Sequence, residues 1–128
     1  MLQQRKKDYL QRLIDEFFKK LQQVVSGDAQ LGDAERQSLL QECFVFFSEN
    51  FDVSGSENLP MLVEKISDGE LLEQYAKALM LRYDISEQKD RGDLYRALEI
   101  VEYIQDADKT YSWDRVVLRE DLLHRLGE

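Results

Sequence analysis

The chain has 128 residues, of which 43% are hydrophobic and 34% charged, with one Pro and six Gly. A chain of this size forms one domain and buries roughly two thirds of its unfolded surface, so it needs no disulfide or metal to hold it. The composition excludes disorder and a many-turned β-sandwich and predicts an all-α protein. The net charge of −9 repels phosphate backbones, so general nucleic-acid binding is not expected. That charge is uneven: residues 1–25 carry six Lys/Arg against three Asp/Glu, and the remainder carries 11 against 23.

The first helix is predicted from Lys7 to Val25, where Leu10, Leu13, Ile14, Phe17, Phe18, Leu21, Val24 and Val25 recur at three- and four-residue steps. Ser26-Gly27-Asp28 ends it. Gly32-Asp33 opens a second helix to residue 50, with Asp33 as N-cap and Leu39, Leu40, Cys43, Phe44, Phe46 and Phe47 facing a core. Together these two helices predict a hairpin over 7–50.

Residues 52–58 (DVSGSEN) read as a loop, and Pro60 fits the first turn of a short helix over 60–66. Ser67-Asp68-Gly69-Glu70 has the S-x-x-E spacing of a capping box, so a further helix opens there and runs to about Tyr83. A polar link leads to a fifth helix at 93–106, whose stripe is Leu94, Ala97, Leu98, Ile100, Val101 and Ile104. Ser112 caps a closing helix over 113–126. The expected architecture is one domain over 1–128, with five or six helices arranged as two stacked hairpins plus a closing helix. A weak internal echo, Gly32-Asp33-x-x-Arg36 against Gly92-Asp93-x-x-Arg96, fits that arrangement.

Gly92, Asp93, Ala97 and Leu98 resemble the G-[DN]-x-x-x-A-[LI] signature of tetratricopeptide-repeat second helices, with Ala76 and Ala78 on the preceding helix as small partners. The resemblance covers residues 69–115 as one repeat with a lengthened connection, and it implies a hairpin over 69–106 in a superhelical array. The opening Lys7-Asp8-Tyr9-Leu10-Gln11-Arg12-Leu13-Ile14 is similar to the K-D-Y-L-x-R-x-I start of a small group of bacterial helical proteins that close with a repeat-like hairpin and have no assigned activity.

Tyr95 and Tyr103 fall outside the apolar stripe of their helix, so they are the expected partner-binding residues if the hairpin presents an aromatic groove. Otherwise they pack beneath a neighbouring helix. Lys109, Ser112 and Arg115 combine cations, a hydroxyl and a helix start, the ingredients of an anion site. In the alternative reading, Ser112 caps, Trp113 anchors the last helix on the core, and Asp114 favours the helix dipole. Cys43 cannot form an intrachain disulfide and sits in an apolar run beside Glu42, a setting for a buried, inert thiol.

His124 is the sole histidine, so no triad or metal site can be drawn, and no cofactor is expected. DVSGSEN and GDAQLGD fail calcium-loop spacing at the sixth and twelfth positions. No signal peptide or bilayer-length apolar run is expected, so the predicted location is the cytoplasm, with membrane association disfavoured. These readings predict a non-catalytic interaction or scaffolding module for an unidentified protein or peptide, with homo-oligomerisation left open. The alternative is a small enzyme or ligand-binding protein with a carboxylate-lined pocket.

Overall fold

The computed structural model describes residues 8–16, 19 and 32–127, and within them every regular element is an α-helix. Helix α1 is seen over residues 8–16. It is followed by α2 (Asp33–Phe51), α3 (Leu59–Lys65), α4 (Gly69–Ile85), α5 (Arg91–Ala107) and α6 (Trp113–Leu126). Leu10 and Ile14, one turn apart on α1, are buried in the common core. The rest of the predicted first-helix stripe, from Phe17 to Val25, and the turn of the first hairpin lie outside the described residues.

The helix starts follow short polar side chains, in part not the ones expected. Asp68, rather than Ser67, caps α4, with Oδ1 accepting from Glu70 N at 2.9 Å and Leu71 N at 3.1 Å. Helix α5 begins two residues early because Asp90 Oδ1 accepts from Gly92 N at 2.8 Å. Asn58 caps α3 through Met61 N, with Pro60 in the first turn where no amide is needed. Asp33 is the first helical residue of α2 rather than its cap; Gly32 takes the cap position without a side-chain hydrogen bond. Gly32 and Gly92 therefore sit at different helical positions, and the internal echo is not a structural repeat.

Helix α4 lies at the centre. Its Leu71, Leu72, Tyr75, Ala76, Ala78, Leu79, Met80 and Leu81 are all buried, because α2, α5 and α6 each pack against it. From α2, the rings of Phe47 and Phe44 meet Tyr75 edge-on, with centroids 5.1 and 5.9 Å away. Each such pair adds about 1 kcal/mol beyond area burial. Helix α5 buries the predicted stripe of Leu94, Ala97, Ile100, Val101 and Ile104, with Leu98 half-buried. Arg82 joins three helices: it forms a two-pronged pair with Asp93 of α5, and its guanidinium lies 4.4 Å from the Phe44 ring of α2.

The loop between α2 and α3 is more organised than its composition suggests. Asp52, in left-handed conformation at φ 57°, ends α2. Glu57 then turns inward and is 1% exposed. Its carboxylate accepts from Ser54 N at 2.7 Å, Ser54 Oγ at 2.9 Å, Gly55 N at 2.9 Å and Lys65 Nζ at 2.9 Å. Burial pushes this carboxyl up, but the bonds from Ser54, Lys65 and Gly55 together outweigh it and hold the group well below the usual carboxylate range. Arg96 of α5 donates to Gly55 O at 2.7 Å, so the loop is tied to the second half of the fold.

Candidate interaction surface

Helices α4 and α6 pack on the same partner, α5, yet touch each other only sparingly. Two Arg–carboxylate ties fix their relation. Near the helix starts, Arg115 Nη1 lies 3.8 Å from Glu73 Oε1; near the ends, Arg125 Nε is 2.7 Å from Asp84 Oδ1. Since 73 and 84 are almost as far apart as 115 and 125, the two helices run side by side in one direction with ties about 15 Å apart. Glu73, Lys77, Met80 and Asp84 follow an i, i+4, i+7, i+11 stripe along α4 and so share its face.

Between the ties lies a groove of about 450 Å³, lined by Glu73, Gln74, Lys77 and Met80 of α4 and by Trp113, Asp114, Val117, Leu118 and Asp121 of α6. Met80 and Leu118 are buried and form its floor. Trp113 is 66% exposed and Val117, one turn on, 39% exposed, forming the α6 wall. Trp113 therefore does not anchor α6 on the core as the sequence suggested. Arg115, Leu118 and Leu122 take that inner side, and Trp113 projects from nearly the opposite side of the helix.

Adjoining the groove, and sharing Glu73, Gln74 and Asp114 with it, is a hollow of about 750 Å³. Among the described residues, its wall includes the carboxylates of Asp15, Asp68, Glu70, Glu73, Asp108 and Asp114 against one cation, Arg115. Burial, with Asp114 and Glu70 adding to it, pushes the Glu73 carboxyl up, and Arg115 opposes them in part. Thr110 N donates to Asp108, whose carboxyl is held down by that bond. Three buried polar atoms in residues bordering this hollow, Gln11 Oε1, Gln74 Oε1 and Arg115 Nε, make no hydrogen bond among the described residues.

The structure brings three of the sequence-predicted site residues, Tyr103, Ser112 and Arg115, to this hollow and leaves Tyr95 and Lys109 outside its lining. Ser112 Oγ accepts from Arg115 N at 3.3 Å, as a helix cap. Arg115 is 7% exposed and spends its guanidinium on Thr110 O and Glu73. Lys109 is exposed. Ser112 and Arg115 are engaged by these contacts, Arg115 Nε excepted, and the lining around them is rich in carboxylates. Tyr103 is half-buried against the core at the hollow's edge, while Tyr95 is 57% exposed, with the Arg91 guanidinium 5.9 Å from its ring. Tyr95 does not line the hollow that Tyr103 borders.

Sequence reasoning missed the groove residues Met80, Trp113, Val117 and Asp121. A helical projection of 113–126 would have found Trp113, because it falls away from the Leu118–Leu122 side. Among the described residues, no group of three or more His, Cys, Asp or Glu is arranged to hold a metal ion, and no helix is long and apolar enough to cross a membrane. No family model, curated protein or solved structure matches the chain.

Proposed function

We propose that this protein is a non-catalytic interaction module of the cytoplasm that presents the paired faces of α4 and α6 to a protein partner. The observation that carries this reading is the groove itself: an apolar floor, an exposed tryptophan wall and a width set by an Arg–carboxylate tie at each end. Large aromatics at the centre of a surface supply most of the binding energy in protein contacts. Fixed walls reduce the ordering cost of binding. Tyr103 borders the same surface, whereas Tyr95 lies outside it. The α4–α5 hairpin, which carries the tetratricopeptide-like signature, serves as the support that holds α6 beside α4.

The test is capture from the native cell with the double variant Trp113→Ser, Val117→Ser beside the wild type, read by mass spectrometry. Trp113 is largely in solvent and Val117 partly so, so the melting temperature changes little while the captured partner is lost. Recovery of the same proteins by both forms would show that this face is not the contact surface.

A second reading, a ligand-binding or catalytic use of the hollow, is favoured by Glu73, whose carboxyl burial pushes upward as a general acid requires. Trp113→Ser with Val117→Ser separates the two: it removes the apolar contact but leaves the Glu73 carboxyl in the hollow.

A further inference from the structure

The groove and the hollow differ in chemistry, and because they share Glu73, Gln74 and Asp114 they form one continuous surface. At one end are Met80, Trp113, Val117 and Leu118; at the other are six carboxylates, two of them in the first turns of α4 and α6. Among the described residues Arg115 is the one cation lining the hollow, and Glu73 and Thr110 already engage it. Burial first, and then the nearby Asp114 and Glu70 carboxylates, push the Glu73 carboxyl up, and an incoming cation relieves the repulsive part of that push.

Resting on the interaction reading above, we infer that the occupant is a basic segment of a partner protein, an apolar side chain seated against Trp113 and neighbouring Lys or Arg side chains in the acidic hollow. The apolar end supplies affinity, and the acidic end selects the sign of the partner and speeds encounter. An acidic segment meets repulsion, and a purely apolar one forgoes the charge complement of the hollow.

Trp113 is the one tryptophan in the chain, so its emission reports occupancy of the groove directly. The wild-type protein is titrated with three synthetic amphipathic helices: lysine and leucine, glutamate and leucine, and lysine and serine. The first produces a saturable blue shift that weakens as salt rises. The second produces none, and the third binds at least tenfold more weakly.

Glu70→Lys with Asp114→Lys weakens the lysine–leucine helix roughly tenfold, whereas Glu42→Lys with Glu49→Lys on α2, equal in net charge, leaves it within about twofold. Glu70→Gln with Asp114→Asn serves in place of the first pair if charge reversal lowers the melting temperature, and its expected loss is smaller but of the same sign.

Equal binding of the glutamate and lysine helices, or equal loss from the α2 control, overturns the basic-segment inference. So does failure of the lysine–leucine helix to shift Trp113. A blue shift that grows with protein concentration in the absence of peptide overturns it in favour of a second copy of the chain. None of these results touches the interaction reading, which falls only if the Trp113 and Val117 variant still captures the cellular partner.

Discussion

Asp84 and Arg125, 41 positions apart, meet in a two-pronged ion pair, Arg125 Nε and Nη2 each lying 2.7 Å from a different Asp84 oxygen. Next to it, Arg91 Nη2 donates to Leu126 O at 2.7 Å, so the last turn of α6 is bound to the end of α4 and to the start of α5. Apolar packing alone would leave α6 free to slide along α5. The polar contacts fix its register and with it the width of the groove.

A double-mutant cycle with Asp84→Asn and Arg125→Gln measures that contribution. Both side chains are partly exposed, so solvent screening limits it, while the two-pronged geometry lifts it above an ordinary surface pair. The expected coupling is about 1 kcal/mol by chemical denaturation. Arg125→Lys keeps the charge but loses most of the coupling, because an ammonium cannot engage both oxygens at once. A coupling near zero would mean that apolar contacts alone hold α6.

Glu57 makes stability depend on acid. Its folded carboxyl is held below the usual range, so the unfolded chain binds a proton more readily. The stabilisation is complete above the unfolded value, near pH 4.5 to 5, and is lost as pH falls from there towards the lower folded value. Glu57→Gln keeps the shape but loses the charge-assisted bonds to two backbone amides and Lys65. It costs about 1 to 3 kcal/mol at pH 7. Denaturation curves of the two proteins converge as pH drops from 5 towards 3; a constant gap across that range would show that the carboxylate charge is not what organises the loop.

Much of this was legible where physics is local. The α5 stripe follows from helical spacing, and Ser112 caps α6 at the predicted place because an N-cap hydroxyl needs only the amide three residues on. Glu57 was not legible. In DVSGSEN it looks like one more solvated acid, and its burial depends on Lys65 arriving from α3 and Arg96 holding Gly55 from α5. The groove was hidden for a similar reason. Pairings such as Glu73 with Arg115 and Asp84 with Arg125 have no sequence spacing to betray them, and a lone tryptophan at the start of an amphipathic helix reads as core until its angular position is set against Leu118 and Leu122.

Cys43 is fully buried, and its thiol is pushed up to about 12, first by burial and then by Glu42. The thiolate is the reactive form, so at pH 8 the native protein should leave Ellman's reagent almost unreacted, and unfolding in guanidinium should release one full equivalent. Rapid colour development without denaturant would show that α2 opens readily at this point.

Ala97 is fully buried on the α5 stripe, in the helix that packs against both α4 and α6. Enlarging it to Leu forces neighbours off their preferred rotamers or pushes a helix outward, at a cost of about 1 to 3 kcal/mol. Ala97→Ser, nearly the same size, is much milder. An unchanged denaturation midpoint for the Leu variant would rule out tight packing at this position.

The two tyrosines of α5 separate by burial. Tyr95 stands mostly in solvent, beside Arg91, so Tyr95→Ser should change stability by less than about 0.5 kcal/mol. Tyr103 packs against the core at the rim of the hollow, and Tyr103→Ser removes half-buried aromatic contacts at a cost of about 1 to 2 kcal/mol. Thermal melts of the two single variants are therefore unequal, with nearly all the loss at Tyr103. The binding readout divides the same way. Tyr103→Ser weakens the lysine–leucine helix because it alters the wall that the acidic hollow shares, and Tyr95→Ser leaves that titration as it was. Equal effects of the two substitutions on Trp113 emission would place the contact surface on α5 itself instead of on the α4–α6 face.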